Sequence, residues 1–539
     1  MKNIRKLVML LVGLFALALP GCGGGDNKIA TVNNTVNEKV TQEEEVGWAA
    51  GVYEDEANYL NYCAAPRSGT DPVTGISYPD MQGTALTENN WLRSWSNNTY
   101  LWYDEIFDRD PALYTTATYF DLLKTFATTS SGTPKDQFHF TYPTEEWEQL
   151  SQSGVSAGYG AEWAIIKAIP PREVRVAFTE PGSPATSVSI ARGTEILKVD
   201  NVDVVNANDQ ASIDMLNAAF FPAEANETHT FVVRDLGSDV TRTVTMTSTL
   251  ITSTPVQNVR TIATAAGTVG YILFNSHIAT AEEGLIAAVT ELSVAGISDL
   301  VLDLRYNGGG LLAIASQLAY MIAGPTATSG KTFENMVFND KHPASDPVTG
   351  SPLSPTPFYD TSVGFSVPEG QALPTLNLNR VFILSQGGTC SASEAIINGL
   401  RGIDVEVVLI GSTTCGKPYG FYPTPNCGTT YFTIQLKGEN NKGYGDYTDG
   451  FKPYNTVGTI GEAVPGCSVA DDFLHLLGDN DEGQLAAALN YRDTSLCPAP
   501  TGSAVSAYSV SMMARSASLF QSDLYRRRPL IGRIISPSR

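Results

Sequence analysis

The stretch Val381-Phe-Ile-Leu384, followed by Gly387-Gly388 and then Ser391-Ala-Ser-Glu-Ala-Ile-Ile-Asn-Gly-Leu400, sets the reading of the whole chain. Four apolar residues of strand length break at a glycine pair and lead into a segment with helical periodicity. Ser391 therefore falls at a strand-to-helix turn. Unpaired N–H groups and the positive end of the helix dipole favour a developing alkoxide there, and the Ala392 N–H can face a substrate oxyanion. Next, Val405-Glu-Val-Val-Leu-Ile410 reads as a buried strand that delivers Gly416-Lys417 to one end of the same sheet. A lysine so placed can take the serine proton, provided it is neutral at working pH. Lowering its pKa from about 10.4 to near neutrality takes about 4 kcal/mol of burial and neighbour effects, available in an enclosed cleft and not on a surface loop. Taken singly, Ser391 is as well explained as a helix N-cap and Lys417 as a solvated turn lysine. The two together carry the argument.

Over most of its length the chain resembles the tail-specific or carboxyl-terminal processing proteases, the Ser/Lys peptidases of the S41 class. The resemblance rests on Ser391-Ala-Ser-Glu394, on Thr413-Thr-Cys-Gly-Lys417, and on Leu300-Val-Leu-Asp-Leu-Arg-Tyr-Asn-Gly-Gly-Gly310. It implies Ser391 as nucleophile and Lys417 as base, with an N–H from Gly308 or Gly309 joining that of Ala392 in the oxyanion hole. Glycines just past a buried strand suit that role because they let backbone approach a ligand closely. Many family members place a glutamine four residues after the lysine to orient it. Here that position is Phe421, so the orienting partner is unassigned, with Gln435 and Asp404 as candidates. Gly445-Asp-Tyr-Thr-Asp-Gly-Phe-Lys-Pro453 looks like the family's Asp-Gly-x-x-Pro region and reads as scaffold.

Alternative chemistries are weaker. A more distant branch of the class uses Ser with His, and His277, after the strand Gly270-Tyr-Ile-Leu-Phe274, is within reach of such a role, although a structural histidine explains it equally. Cys390 as a thiol nucleophile has no histidine placed beside it. No His-x-x-x-His, paired Cys-x-x-Cys or clustered carboxylate pattern argues for a metal, and no cofactor is expected. The acidic Gly478-Asp-Asn-Asp-Glu-Gly483 could hold calcium but reads first as a solvated turn.

Upstream, Glu180-Pro-Gly-Ser-Pro-Ala185 and Ala191-Arg-Gly-Thr-Glu-Ile-Leu-Lys-Val-Asp200 resemble the PDZ core pattern, with Thr194 where an aspartate is usual. The resemblance implies a β-rich module that binds extended peptides by adding a strand to a sheet edge, with Gly158-Tyr159-Gly160 as the carboxylate-binding loop. A structural β domain without ligand is the competing reading. Earlier still, Asn90-Trp-Leu-Arg-Ser-Trp95 through Tyr103 and the amphipathic Tyr119-Phe-Asp-Leu-Leu-Lys-Thr-Phe126 suggest a small helical cap whose aromatic stripe is core.

At the N-terminus, Lys2, Arg5 and Lys6 precede an apolar run, Leu7 to Leu19, too short for a permanent membrane span. The following Leu19-Pro-Gly-Cys22 resembles a bacterial lipobox with Cys22 as the lipidated first mature residue, and Gly23 after it points to the outer membrane. Six further cysteines, Cys63, Cys390, Cys415, Cys427, Cys467 and Cys497, suit three disulfides in an export context. A bridge between Cys390 and Cys415, or between Cys415 and Cys427, would fix the Ser/Lys geometry. A net charge of −22 excludes ordinary nucleic-acid binding. Arg526-Arg-Arg528 is the basic exception, able to touch anionic lipid or the protein's own acidic surface, although a disordered tail explains it too.

These readings combine into a multidomain α/β protein with a crotonase/ClpP-like catalytic core, a PDZ-like module and a helical cap. The expected divisions are residues 1–22 signal and lipobox, 23–50 tether, 51–150 cap, 154–250 PDZ-like domain, 255–475 catalytic domain and 476–539 C-terminal extension. The expected activity is an extracytoplasmic, lipid-anchored serine endopeptidase acting on polypeptides through their C-terminal segments by an acyl-enzyme. A catalytically weak peptide-binding scaffold and a Ser/His hydrolase are the alternatives.

Overall fold

The computed structural model describes residues 48–498 and the backbone of the strand Gly532–Ile534. The signal, the lipobox with Cys22, most of the tether and the arginine cluster at 526–528 lie outside the described residues.

The apolar runs of the C-terminal half form one sheet in the order Val256–Thr264, Gly267–Phe274, Asp299–Asp303, Arg380–Ser385, Glu406–Gly411 and Gly466–Ser468. The first pair is antiparallel and every later pairing is parallel. A parallel sheet needs both faces covered, and its strands then read as continuous apolar runs. Val381 to Leu384 and Val407 to Ile410 are accordingly buried throughout. The helices Ala281–Val294, Leu312–Thr328 and Ala392–Gly402 cover one face. The helix Gly483–Thr494 covers the other, where Leu485, Ala487 and Ala488 join Val301, Phe382 and Val408. This last helix lies beyond the expected boundary at 475, and the disulfide Cys467–Cys497 ties its far end back to the sheet. The core therefore runs to Cys497.

Residues 155–252 form a β-rich module with its own apolar core. Its antiparallel sheet runs Thr241–Thr247, Thr228–Arg234, Glu195–Val199, Glu173–Thr179, Ala161–Lys167, with the helix Gln210–Phe220 packed on it through Ile213, Leu216 and Phe220. Thr194, where an aspartate was expected, is buried; its hydroxyl accepts from Ala191 N–H and donates to Asp235. The chain enters through Val155–Gly158 and leaves through Thr249–Thr252, and these two segments pair antiparallel. The module meets the core through a buried ion cluster. Arg192 of the module reaches Asp471 at 2.6 Å, and Asp471 also takes Arg305 at 2.9 Å. Arg305 has no exposed surface and pairs with Asp303 and Glu482 as well. Glu482, part of the sequence considered for calcium, is thus committed to an arginine and to capping the helix Gly483–Thr494.

The N-terminal region is less helical than its sequence suggests. The helix Ala85–Thr99 forms, capped by Thr84, and buries Trp91 and Trp95 as a stacked pair 5.2 Å apart against Tyr431. The expected helix Tyr119–Phe126 is instead Thr116–Phe120. Beyond it the hydrogen bonds tighten to Leu122 N–H with Tyr119 and Leu123 N–H with Phe120, and Thr125 N–H turns away to the buried Tyr100 hydroxyl. Tertiary contact overrides a short amphipathic pattern here. The strand Phe140–Pro143 pairs with Thr429–Phe432, so the region is knitted into the core as well as capping it. The disulfide Cys63–Cys427 adds a covalent link across the same junction.

Candidate active site

Ser391 stands where the strand Arg380–Ser385 gives way to the helix Ala392–Gly402, with φ 57° and ψ −108°. A non-glycine residue with positive φ costs on the order of 1–3 kcal/mol and persists only where its surroundings hold it. Here the loop is clamped on both sides. Thr389 donates its hydroxyl to Leu304 O at 2.7 Å, Cys390 N–H reaches Asn307 O at 3.1 Å, and the Ser393 hydroxyl reaches the same carbonyl at 3.0 Å. Ser391 has no exposed surface, and among the described residues its hydroxyl oxygen has no hydrogen-bond partner. The Ala392 N–H opens the helix and is one of the first-turn donors an α-helix leaves unbonded.

Lys417 follows the turn Ser412–Gly416 and precedes the strand Tyr419–Phe421, so it comes one turn later than the end of the preceding strand. Gly416 is required in that turn. Its φ is +81°, and a Cβ would lie 2.3 Å from Thr448 O, within the region expected to act as scaffold. Lys417 is fully buried, with Nζ 4.5 Å from the Phe138 ring centroid and 4.1 Å from that of Phe421. The residue in the place of the family's glutamine thus forms one wall around the amine, and the cap supplies the other.

Glu394 brings the two loops together. One carboxylate oxygen accepts from Ser391 N–H at 2.9 Å and Lys417 N–H at 2.8 Å; the other accepts from Gly416 N–H at 2.8 Å and the Thr414 hydroxyl at 2.5 Å. Burial pushes the Glu394 carboxyl up, and the Thr414 hydroxyl and the three backbone donors pull it back down. Thr414 in turn accepts from Phe451 N–H at 2.8 Å. The resemblance assigns Glu394 no role; the signal in the sequence that points to it is the Ser-x-x-Glu spacing of a capping box. The disulfide Cys390–Cys415 staples the same loops. It excludes both the pairing of Cys415 with Cys427 and a thiolate nucleophile at Cys390. Ligand atoms of Cys390, Glu394 and Cys415 lie within 4.8 Å of one another, but the two sulfurs are joined and offer no thiolate to a metal.

The glycine turn is organised by Asn307. Its side-chain oxygen accepts from Gly309 N–H at 3.0 Å and lies 2.9 Å from His277 Nδ1, while its amide donates to Phe274 O at 2.9 Å. Gly309 N–H is therefore already spent, which favours Gly308 over Gly309 as an oxyanion donor. His277 is fully buried, and desolvation holds its imidazole down at about 3. With Nδ1–H donating to Asn307 and no bond to Ser391, His277 is a structural part of the turn.

The two candidate orienting residues separate. Gln435 is buried and accepts from Tyr422 N–H at 2.7 Å. Asp404 is on the surface, paired with Lys442 at 2.5 Å.

Gly158, Tyr159 and Gly160 line a cleft of about 700 Å³ between module and core, shared with Phe220, Asn275, Tyr306 and Gly308. Tyr159 points inward, its hydroxyl donating to Ala219 O at 3.1 Å, so the loop offers backbone to the cleft. Asn275 lines the cleft with both side-chain amide atoms unbonded among the described residues. The cleft reaches Gly308 and stops short of Ser391 and Lys417.

Comparison with known proteins relates the chain to a family of peptidases. Residues 268–428 match the model of Peptidase family S41. A carboxyl-terminal-processing protease from Picosynechococcus sp. is 25% identical over 269 residues, covering 50% of this chain and 56% of that protein. A chloroplastic C-terminal processing peptidase from Tetradesmus obliquus is 32% identical over 164 residues, covering 28% of this chain and 34% of that one. The chain thus spans about half or less of the length of these relatives. A solved structure assigned to the S41 proteases, from Bacteroides fragilis NCTC 9343, shares the fold with a TM-score of 0.53 at 21% identity, over 78% of this chain and 98% of that one.

Proposed function

We propose that the chain, whose residues 268–428 match Peptidase family S41, is a serine endopeptidase working through a Ser391/Lys417 dyad on a crotonase/ClpP-like core. The single observation that carries this reading is Glu394, which holds the N–H groups of Ser391, Gly416 and Lys417 on one buried carboxylate and so fixes nucleophile and base to one another.

In this mechanism the Ser391 hydroxyl oxygen attacks the peptide carbonyl carbon as its proton passes to Lys417 Nζ. The oxyanion is met by the N–H groups of Ala392 and of Gly308. Collapse of the tetrahedral intermediate breaks the C–N bond, and Lys417 returns the proton to the leaving amine. Water, deprotonated by the neutral lysine, then attacks the acyl-enzyme and regenerates Ser391. The cycle needs Lys417 as a neutral amine. Full burial withholds from an ammonium hydration worth several kcal/mol, which favours the uncharged amine.

The module is read as PDZ-like, presenting the Gly158–Gly160 backbone to the C-terminal segment of a polypeptide substrate. The cleft that continues from this loop to Gly308 supports that reading. Three disulfides support an extracytoplasmic location, and the lipobox at Cys22 supports a lipid anchor, with outer-membrane retention suggested by Gly23. No helix among the described residues is long and apolar enough to cross a membrane.

The test is cleavage of an unfolded polypeptide with a free C-terminus by the form lacking residues 1–22, compared with Ser391→Ala and Lys417→Ala. Cleavage by the wild type and loss in both variants upholds the dyad. Retained activity in Lys417→Ala moves the base elsewhere, and a C-terminally amidated substrate cut equally well removes the terminus from recognition.

A further inference from the structure

Between the glycine turn and the lysine strand lies a position one strand wide, and the chain's own C-terminal segment fills it. Gly532–Ile534 pairs in parallel with Gly309–Leu311 on one side, in the register Gly309 to Gly532, Gly310 to Arg533 and Leu311 to Ile534. On its other side it pairs in parallel with the strand after Lys417, Gly420 to Arg533 and Phe421 to Ile534. The same three residues approach the helix Ala392–Gly402, which begins one residue after Ser391.

The slot exists because both flanking strands are satisfied on their far sides only. Leu311 N–H goes to His277 O, and Gly310 cannot carry a side chain there, since its Cβ would lie 2.6 Å from that carbonyl. Tyr419–Phe421 is paired outward with Leu436–Glu439. Neighbouring strands stand about 4.8 Å apart, so removing Gly532–Ile534 would leave two facing edges about 10 Å apart, each with unpaired N–H and C=O groups. Such a gap accepts one extended polypeptide and little else. The gap is bordered by the candidate oxyanion turn, the nucleophile helix and the base strand.

We propose that this slot is the one through which an extended substrate passes the dyad, and that the C-terminal segment, seated in it through Gly532–Ile534, blocks the enzyme in cis. The inference rests on the Ser391/Lys417 reading. The segment starts from Cys497, which a disulfide holds to the core sheet, and 34 residues separate Cys497 from Gly532 (532 − 497 − 1). Linkage within one chain that raises the effective concentration to the millimolar range would leave a strand that binds at about 0.1 mM in trans about 90% seated in cis.

The experiment uses the full chain and a variant carrying Arg533→Pro and Ile534→Pro, which removes two N–H donors from the strand. Hydrogen exchange is measured in a Ser391→Ala background and turnover with Ser391 intact. The expected result is loss of amide protection at Gly310, whose two neighbours are bonded to Asn307 and His277, and within residues 419–421 in the proline variant, a rise in kcat/KM of about tenfold, and competitive inhibition of that variant by a peptide of residues 526–539. Unchanged protection overturns the seating of the strand even if no substrate is ever cut. Lost protection with equal kcat/KM and no inhibition by the peptide overturns the block. Absence of turnover in both proteins, with protection lost as expected, leaves the seated strand standing and counts against the dyad.

Discussion

The parallel-sheet core and the β-rich module place their candidate groups in opposite ways. In the core, Ser391, Glu394 and Lys417 have no exposed surface, and backbone N–H groups are spent on locking Ser391 and Lys417 to one carboxylate. In the module, the Gly158–Gly160 loop lies along an open cleft and turns its one large side chain inward, leaving backbone to the outside. On the proposed reading, chemistry that depends on sub-ångström placement is enclosed, and recognition of a polymer that varies in sequence is left to main chain. The two tasks should therefore respond differently to damage.

The largest contrast is expected from the dyad itself. Ser391→Ala should lower kcat/KM by about 10⁴-fold or more while leaving peptide binding, read by fluorescence anisotropy, close to wild type. Glu394→Ala should cost about 3–5 kcal/mol of stability in denaturant unfolding, because four donors lose a buried acceptor at once. A Glu394→Ala protein as stable as wild type would break the claim that the site is held by this carboxylate. Replacing the Cys390–Cys415 bridge by two serines opens a loop closed over a sequence separation of 25 and should cost about 3 kcal/mol, with kcat falling more than KM rises.

Acid should act on the enclosed side as well. Burial holds His139 down at about 4 and His277 at about 3, both below the histidine value of about 6.5 in an unfolded chain. Both are neutral in the fold. Their contribution is fully present above pH 6.5 and is lost as pH falls through the unfolded value toward 4 and then 3, because the unfolded chain binds the protons first. His139→Gln should flatten the upper part of that decline by on the order of 3 kcal/mol, measured as unfolding free energy from pH 7 to 4. The smallest effect is expected in the cleft. Gly160→Ala puts a Cβ 2.3 Å from Ser183 Cβ at φ +70°, and should raise KM a few-fold with kcat nearly unchanged. A fall in kcat instead would mean that cleft and dyad are not separable.

What could be read from sequence follows the range of the interactions. The strand Arg380–Ser385, the helix from Ala392 and the strand Glu406–Gly411 were legible because burial on both faces writes itself as local apolar runs. The motif Asp303-Leu-Arg305 was legible as a pattern but not as a buried ion pair that Asp471 shares, since that partner lies 166 residues from Arg305. Phe138 over Lys417 was invisible for the same reason, being an ordinary aromatic until the cap folds down on the base. The cysteine pairings were open among 15 combinations, and only the three-dimensional neighbours of Cys415 decide for Cys390 and against Cys427. The strand Gly532–Ile534 has no strand signature of its own, because a glycine, an arginine and an isoleucine pair there only through the edges offered on both sides.

The antiparallel pairing of Val155–Gly158 with Thr249–Thr252 has an evolutionary consequence. Chain on one side of the module, at Phe140–Pro143, already belongs to the same body as chain on the other, so the module is an insertion whose two ends are neighbours. Excising it would leave a gap that a short turn can close at little entropic cost, and another domain with adjacent termini could be grafted in its place. A chain built this way can exchange its module while keeping its core.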